Sequence, residues 1–316
     1  MHPWSLNKDA VELDPRGRQR HRILGTAVCA DLNLMALACV DTWTNASVDL
    51  FGLERVHDNA LPYKYSFGPG CEVEMVFLGI SCMAFAPATG LLFVADCAKL
   101  RVLDVGRRTV GTDLLCSGNP VSLACARDVM AVAVWSMERS SCYIEIRQCS
   151  GAYTVLRTVV LEPRTMYYAV VGLSTDGTAL AVAFNNGRPG LLAIFSTDTG
   201  RLVSNTYCHK AADTILYWED QGWVVAWGGC VQWLRDAPND PHDPLQPWPV
   251  FPTAMFCFKR PAIVPRFGMV WVRVCAWDEN ERVHLVACPD VVAMRGMGEA
   301  RVGWMVAVAR TALLFP

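Results

Sequence analysis

Apolar and polar residues alternate along Ser81–Val105, and the alternation is interrupted once, at Pro87–Gly90. A period of two is typical of a β-strand with one buried face. Proline suits an early turn position and glycine accepts a positive φ at a later one, so Pro87–Gly90 predicts a tight turn. The segment therefore predicts a meander of three strands, at Met83–Phe85, Leu92–Ala95 and Leu100–Val105.

The same hairpin pattern recurs along the chain, with a short strand, a turn and a second strand rich in small residues. Further copies are Val28–Val40, Ser122–Trp135, Val171–Phe184 and Leu216–Gly229, with two more candidates at Val270–Cys288 and Gly303–Phe315. The alanines that anchor the repeat are Ala38, Ala95, Ala133, Ala183, Ala226, Ala276 and Ala309. Their spacing averages about 45 residues, and multistranded repeats of this length are typical of β-propeller blades.

The repeat predicts an all-β chain folded as a single β-propeller of seven blades, with six blades as the alternative. A four-stranded blade cannot bury both faces alone, whereas packing in a ring covers them. A two-sheet sandwich would not need so regular a repeat. We expect residues 1–22 to be an N-terminal lead-in and residues 23–316 to form the propeller. Ala10–Leu13 is the candidate for a strand that closes the ring.

Residues 79–105 also resemble an NHL repeat, a family of propeller blades. The resemblance rests on a turn glycine, a Val-Ala-Asp step and an Arg-Val strand, namely Gly90, Val94, Ala95, Asp96, Arg101 and Val102. The other copies are similar only to a general propeller hairpin. The resemblance implies a propeller fold, and it adds single-stranded RNA binding, known for some NHL proteins, as a functional alternative.

Two segments rich in Pro, Asp, Asn and Gly interrupt the repeat, Gly52–Glu72 and Arg235–Pro252. Because proline has no N–H to donate to a ladder, we expect both segments to project as loops. Trp248 lies between two prolines, and we expect it to stay outside any ladder and to face outward as an anchor for a protein partner. The candidate partner-binding residues are Trp248, Trp233, Arg235 and His242.

Four of the eleven tryptophans lie in the segment Tyr217–Trp233. They are Trp218, Trp223, Trp227 and Trp233, and they do not share one strand parity. Two interpretations stay open: exposed aromatic residues at a binding face, or large rings that fill the wedge between neighbouring blades. We favour the second.

Two further segments contain charged or metal-ligating residues and are weaker candidates for a functional site. Candidate phosphate contacts in the lead-in are Arg16, Arg18, Arg20 and Arg22. The net charge is −2, so we favour a solvated lead-in and expect no nucleic-acid partner. Asn239–Asp243 could form a metal or acid–base cluster, but its composition favours turn formers. The absence of a C-x-x-C pair argues against zinc, and the sequence assigns no metal ligand, no cofactor and no catalytic residue.

The fourteen cysteines bear on the cellular compartment. Many lie inside apolar runs, where free cysteine behaves as a small buried hydrophobe, so we expect reduced core cysteines. The N-terminus lacks the apolar stretch of a secretory signal, and no run is long enough for a transmembrane helix. These observations predict a cytoplasmic monomer.

Three functions remain open. The chain contains no G-x-S-x-G, H-E-x-x-H or P-loop motif. We favour a non-catalytic scaffold that binds a protein partner through one disc face and its projecting loops. The first alternative is a propeller enzyme of the lactonase or lyase type with an axial metal or acid–base site, because a fold does not determine a function. The second is single-stranded RNA binding.

Overall fold

The computed structural model describes residues 11–13, 22–29, 31–42, 45–52, 63–138, 140–161, 169–184, 190–208, 212, 214–218, 222–227, 230–234, 248–249, 257–264, 268–275 and 282–287. Every regular element in these ranges is a β-strand, so the predicted all-β class is confirmed. No helix capable of crossing a membrane occurs among these residues.

The described strands form six sheets, and in four of them every strand is the neighbour of the next strand in the chain. The first sheet contains β2 (Arg22–Cys29), β3 (Leu34–Thr42), β4 (Asn45–Gly52) and β5 (Tyr63–Phe67), and β1 (Val11–Leu13) precedes it in the chain. The second contains β6 (Ile80–Ala86), β7 (Leu91–Asp96), β8 (Lys99–Asp104), β9 (Thr109–Val110) and β10 (Leu114–Leu115). The third contains β11 (Asn119–Ala126), β12 (Val129–Ser136), β13 (Ser141–Gln148) and β14 (Val155–Val160).

The fourth, fifth and sixth sheets come next along the chain. The fourth contains β15 (Ala169–Leu173), β16 (Ala179–Phe184), β17 (Gly190–Ser196) and β18 (Leu202–Cys208). The fifth contains β19 (Thr214–Trp218), β20 (Gly222–Trp227), β21 (Cys230–Leu234) and β22 (Trp248–Pro249). The sixth contains β23 (Cys257–Val264), β24 (Gly268–Cys275) and β25 (Arg282–Ala287), and β1 is its fourth strand.

The chain divides into two compact units. The first comprises Met1–Val76, Gly228–Val231 and Trp248–Pro316, and the second comprises Phe77–Trp227 and Gln232–Pro247. The second unit holds the second, third and fourth sheets.

The meander predicted from Ser81–Val105 is confirmed as β6, β7 and β8. Residues 87–90 form the turn, and Gly90 has a φ of +68°, the left-handed conformation that favours glycine. The hairpins predicted around Ala38, Ala133 and Ala183 are also present, as β2–β3, β11–β12 and β15–β16. The seventh predicted hairpin, 303–315, lies outside the described residues, so the number of blades stays a prediction.

The alanine anchors mark a repeated irregularity in the pairing of the first two strands of a sheet. The register shifts just before Gly25, Cys82 and Ser122, and these residues pair with Ala38, Ala95 and Ala133, respectively. Such a β-bulge increases the local twist of the strand. All three alanines are buried in the second strand of their sheets.

The N-terminal strand β1 pairs with β25, which lies more than 260 residues later in the chain. Val11 pairs with Leu285 and Leu13 with Val283. The pairing adds a fourth strand to the three consecutive strands of the sixth sheet and covers the free edge of β25.

The expectation that Trp248 stays outside any ladder is wrong. Trp248–Pro249 form the short strand β22, with Trp248 opposite Val231 and Pro249 opposite Cys230. An edge strand needs hydrogen bonds on one side only, so it tolerates a residue without an N–H.

The core of the second unit lies between successive sheets, and β12 shows how it is built. Met130, Val132 and Val134 belong to the apolar cluster shared with the second sheet. Ala131 and Ala133 belong to the cluster shared with the fourth sheet. Alternate residues of a strand point to opposite faces, so burial on both faces explains the continuous apolar run of this strand.

Candidate interaction surface

Three strongly exposed apolar side chains lie in the second unit, two of them beside the β7–β8 turn and one in the β12–β13 turn. Leu78 precedes β6, Leu115 ends β10, and Met137 lies in the β12–β13 turn. Their exposed fractions are 76%, 72% and 78%, the highest among the large apolar residues whose side chains are described. We call Leu78, Leu115 and Met137 the turn edge.

A buried carboxylate holds the backbone at Leu78. Oδ1 of Asp96 accepts hydrogen bonds from the N–H groups of Leu78 at 2.8 Å and Gly79 at 2.6 Å. Oδ2 accepts a hydrogen bond from Nε of Arg101 at 3.0 Å, and Nη1 of Arg101 donates to Asp113 at 2.5 Å. Burial lowers the pKa of Arg101, but its bonds to Asp113 and Asp96 outweigh that effect and raise it above its ordinary value.

The segment at Leu115 is held by a buried ion pair of the third sheet. Arg147 donates from Nη2 to the carbonyl oxygen of Leu115 at 2.9 Å and to Oε2 of Glu145 at 2.6 Å. The hydroxyl of Ser117 bonds to Glu145 and to the hydroxyl of Tyr143. Both members of this ion pair are buried, and Arg147 links the pair to the backbone of Leu115, so its role is structural.

The second and third sheets are joined next to the turn edge. Oγ of Ser81 donates to the carbonyl oxygen of Pro120 at 2.8 Å. Gly118 packs so closely on β12 that an added Cβ would overlap the carbonyl oxygen of Trp135. The turn edge therefore rests on a hydrogen-bonded, closely packed support.

The structure describes only part of the site predicted from the sequence. Trp233 lies in β21 and Trp248 in β22, whereas Arg235 and His242 lie outside the described residues. Arg22 begins β2 and pairs with Val40. Arg16, Arg18 and Arg20 lie outside the described residues, as do Asn239–Asp243. The partner and phosphate roles of these residues stay predictions.

Trp223 supports the interpretation of the tryptophan segment as core. Its side chain is buried, and its ring meets that of Tyr217 edge to face, with centroids 4.9 Å apart. Such a pair stabilises a core beyond the area that it buries.

Metal ligands and reactive thiols are sparse in the described part of the chain. No group of three or more His, Cys, Asp or Glu side chains there could hold a metal ion. Nine cysteines have described side chains, and five of these side chains are buried. Burial raises the pKa of Cys116 to about 12 and that of Cys142 to about 11, which makes both poor nucleophiles at neutral pH.

Sequence reasoning missed the turn edge. The available signal was the presence of large apolar residues between strands, as at Met137, which is followed by polar residues. Alternation identifies strands, so it gives no weight to an apolar residue in a turn.

No family model matches the chain, and no curated protein matches it in sequence. Solved structures similar to it include the WD40 domain of Toxoplasma gondii coronin, which is 12% identical, with a TM-score of 0.54 over 85% of this chain and 70% of that one. Hydrazine synthase of Kuenenia stuttgartiensis is 13% identical, with a TM-score of 0.51 over 86% of this chain and 67% of that one. Together with the repeated four-stranded sheets, these similarities define the class: the chain is an all-β protein with a β-propeller fold.

Proposed function

We propose that this β-propeller is a non-catalytic scaffold that binds a protein partner through the turn edge. The observation that carries the proposal is the exposure of three large apolar side chains, Leu78, Leu115 and Met137, beside two turns of one compact unit. Single exposed apolar residues are ordinary on protein surfaces, but grouped ones mark interaction sites.

The support beneath the turn edge favours binding. Its backbone is held by Asp96 and Arg147, so little order has to be gained when a partner docks. Burying one such side chain contributes roughly 1.5–3 kcal/mol. Three together are enough for a small cluster of hot spots.

The proposal also includes the more specific predictions made from the sequence. We infer a propeller of NHL type, a cytoplasmic monomer and a lead-in of residues 1–22 before the propeller. The proline-rich segment Arg235–Pro252, with Trp248, is the second contact region of the scaffold.

Co-purification tests the proposal. The tagged chain is expressed in the cells that naturally produce it, and bound proteins are identified by mass spectrometry. The variant with Leu78→Asp, Leu115→Asp and Met137→Asp should lose the main partner, while Val110→Asp, the same change at an exposed position of β9, should keep it. Circular dichroism confirms that both variants fold. Equal recovery of the partner by both variants contradicts the role of the turn edge.

A further inference from the structure

Most outer strands of the described sheets are short or covered. The outer edge of β5 is covered by the segment that follows it: Val73 donates its N–H to the carbonyl oxygen of Ser66 at 3.1 Å, and Glu72 accepts the N–H of Ser66 at 3.1 Å. Strands β9, β10 and β22 have two residues each. Short or covered edges protect a sheet against unwanted pairing with another chain.

Besides the seven-residue β18 of the fourth sheet, one outer strand is neither short nor covered by described residues, namely β14 of the third sheet. It has six residues, and within the described part of the chain its only partner strand is β13. All its side chains except that of Val159 are exposed, and Leu156 and Val160 are 52% and 54% exposed. The strand therefore offers a row of backbone groups with apolar side chains beside it.

The pairing of β14 with β13 is regular over most of β14. The irregularity between β13 and β14 lies at Leu156, which is skipped between Val155 and Arg157. From Arg157 to Val160 the residues pair one by one with β13. An added strand can therefore follow four consecutive residues without crossing a bulge.

Two exposed arginines, Arg157 and Arg201, lie on this surface, with the exposed Asp198 in the adjoining β17–β18 turn. A Cβ added at Gly200 would lie 3.7 Å from Cδ of Arg157, and the exposed Arg201 comes next in the chain. Neither β14 nor β18 contains an acidic residue. Among the described residues, Arg157 and Arg201 have no ion-pair partner.

We propose that the outer edge of β14 is a docking strand for an extended peptide segment that carries alternating apolar side chains and a carboxylate that pairs with Arg157. Backbone hydrogen bonds along the edge select an extended chain, as in strand addition to other exposed sheet edges. The apolar side chains pack on Leu156 and Val160, and the two arginines select an acidic segment. The surface is distinct from the turn edge.

Peptide selection tests this proposal on the full chain. A phage-displayed library of random dodecapeptides is panned on the wild-type protein, and the enriched peptide is synthesised. We expect alternating apolar residues with an Asp or Glu, and roughly tenfold weaker binding by Arg157→Glu. The control Arg107→Glu, another exposed arginine of the same unit, should bind as the wild type does. A peptide with Lys in place of its acid should regain affinity for Arg157→Glu.

Hydrogen exchange locates the peptide. Amides 155–160 should exchange more slowly in the complex, whereas those around Leu78 and Met137 should not change. Enrichment of no peptide, equal binding by Arg157→Glu and the wild type, or protection at the turn edge would each overturn the proposal. A wild-type dimer that Arg157→Glu converts to a monomer would also overturn it, because the occupant would then be a second copy of the chain.

Discussion

Nε of Arg101 lies 3.0 Å from Oδ2 of Asp96, and the Asp96 side chain is buried. Asp96 ends β7, and Arg101 lies in the next strand. The other carboxylate oxygen accepts the N–H groups of Leu78 and Gly79. One buried side chain thus connects the β7–β8 hairpin to the backbone that carries part of the turn edge.

Asp96→Asn should lower the free energy of unfolding by about 1.5–3 kcal/mol, because hydrogen bonds to charged groups contribute this much. Urea unfolding followed by circular dichroism measures the change. Asp104→Asn is the matched control, since Asp104 accepts the exposed backbone N–H of Arg107 at 2.8 Å and pairs at 3.8 Å with its largely exposed guanidinium. Its effect should stay below about 1 kcal/mol. Equal losses in both variants would show that Asp96 has no special structural role.

Gly118→Ala should destabilise the fold by about 1–3 kcal/mol, the usual effect of overpacking. The new Cβ would overlap the carbonyl oxygen of Trp135 and lie 3.0 Å from Cγ1 of Val134. Gly25→Ala is the control, because an added Cβ there meets nothing within 4 Å. Thermal unfolding of both variants measures the effect. A melting temperature of Gly118→Ala equal to that of the wild type would contradict the close contact between Gly118 and the carbonyl oxygen of Trp135.

Stability should fall at alkaline pH. Burial raises the pKa of Cys142 to about 11 and that of Cys116 to about 12, from an ordinary 9.0. In the unfolded chain these thiols ionise first, so the free energy of unfolding decreases as pH rises from about 9 towards about 11 and 12, respectively. Below pH 9 the contribution is fully present.

Urea unfolding of the wild type and of Cys142→Ala at pH 8, 9, 10 and 10.5 measures this dependence. The variant should show a flatter decline above pH 9. Identical slopes would mean that the thiol of Cys142 titrates alike in the folded and unfolded states.

Trp248→Ala should weaken partner binding by about 2 kcal/mol if Trp248 is a hot spot. If its side chain faces outward, as the sequence predicts, the fold should change by no more than about 0.5 kcal/mol. Recovery of the partner and the melting temperature are measured on the same preparation. A fall in the melting temperature of several degrees with unchanged recovery would place Trp248 in the core instead.

The sequence by itself determined the strands and their hairpins. Alternation at Ser81–Val105 and the glycine at position 90 are local signals, because side-chain period and turn conformation depend on neighbouring residues. The alanines at positions 38, 95 and 133 revealed a repeat, and each lies in a second strand opposite a bulge. Repetition of one local pattern was enough to predict a propeller.

Only the tertiary structure decided which residues meet across sheets and which remain exposed. Asp96 and Leu78 are 18 residues apart, and Arg147 and Leu115 are 32 apart, so no local period connects them. The exposure of Leu78, Leu115 and Met137 depends on what neighbouring strands leave uncovered. The place of Trp248 in a ladder depended on an edge of β21 that was free to accept it. Such contacts come from packing between distant segments, which hydrophobic pattern alone does not specify.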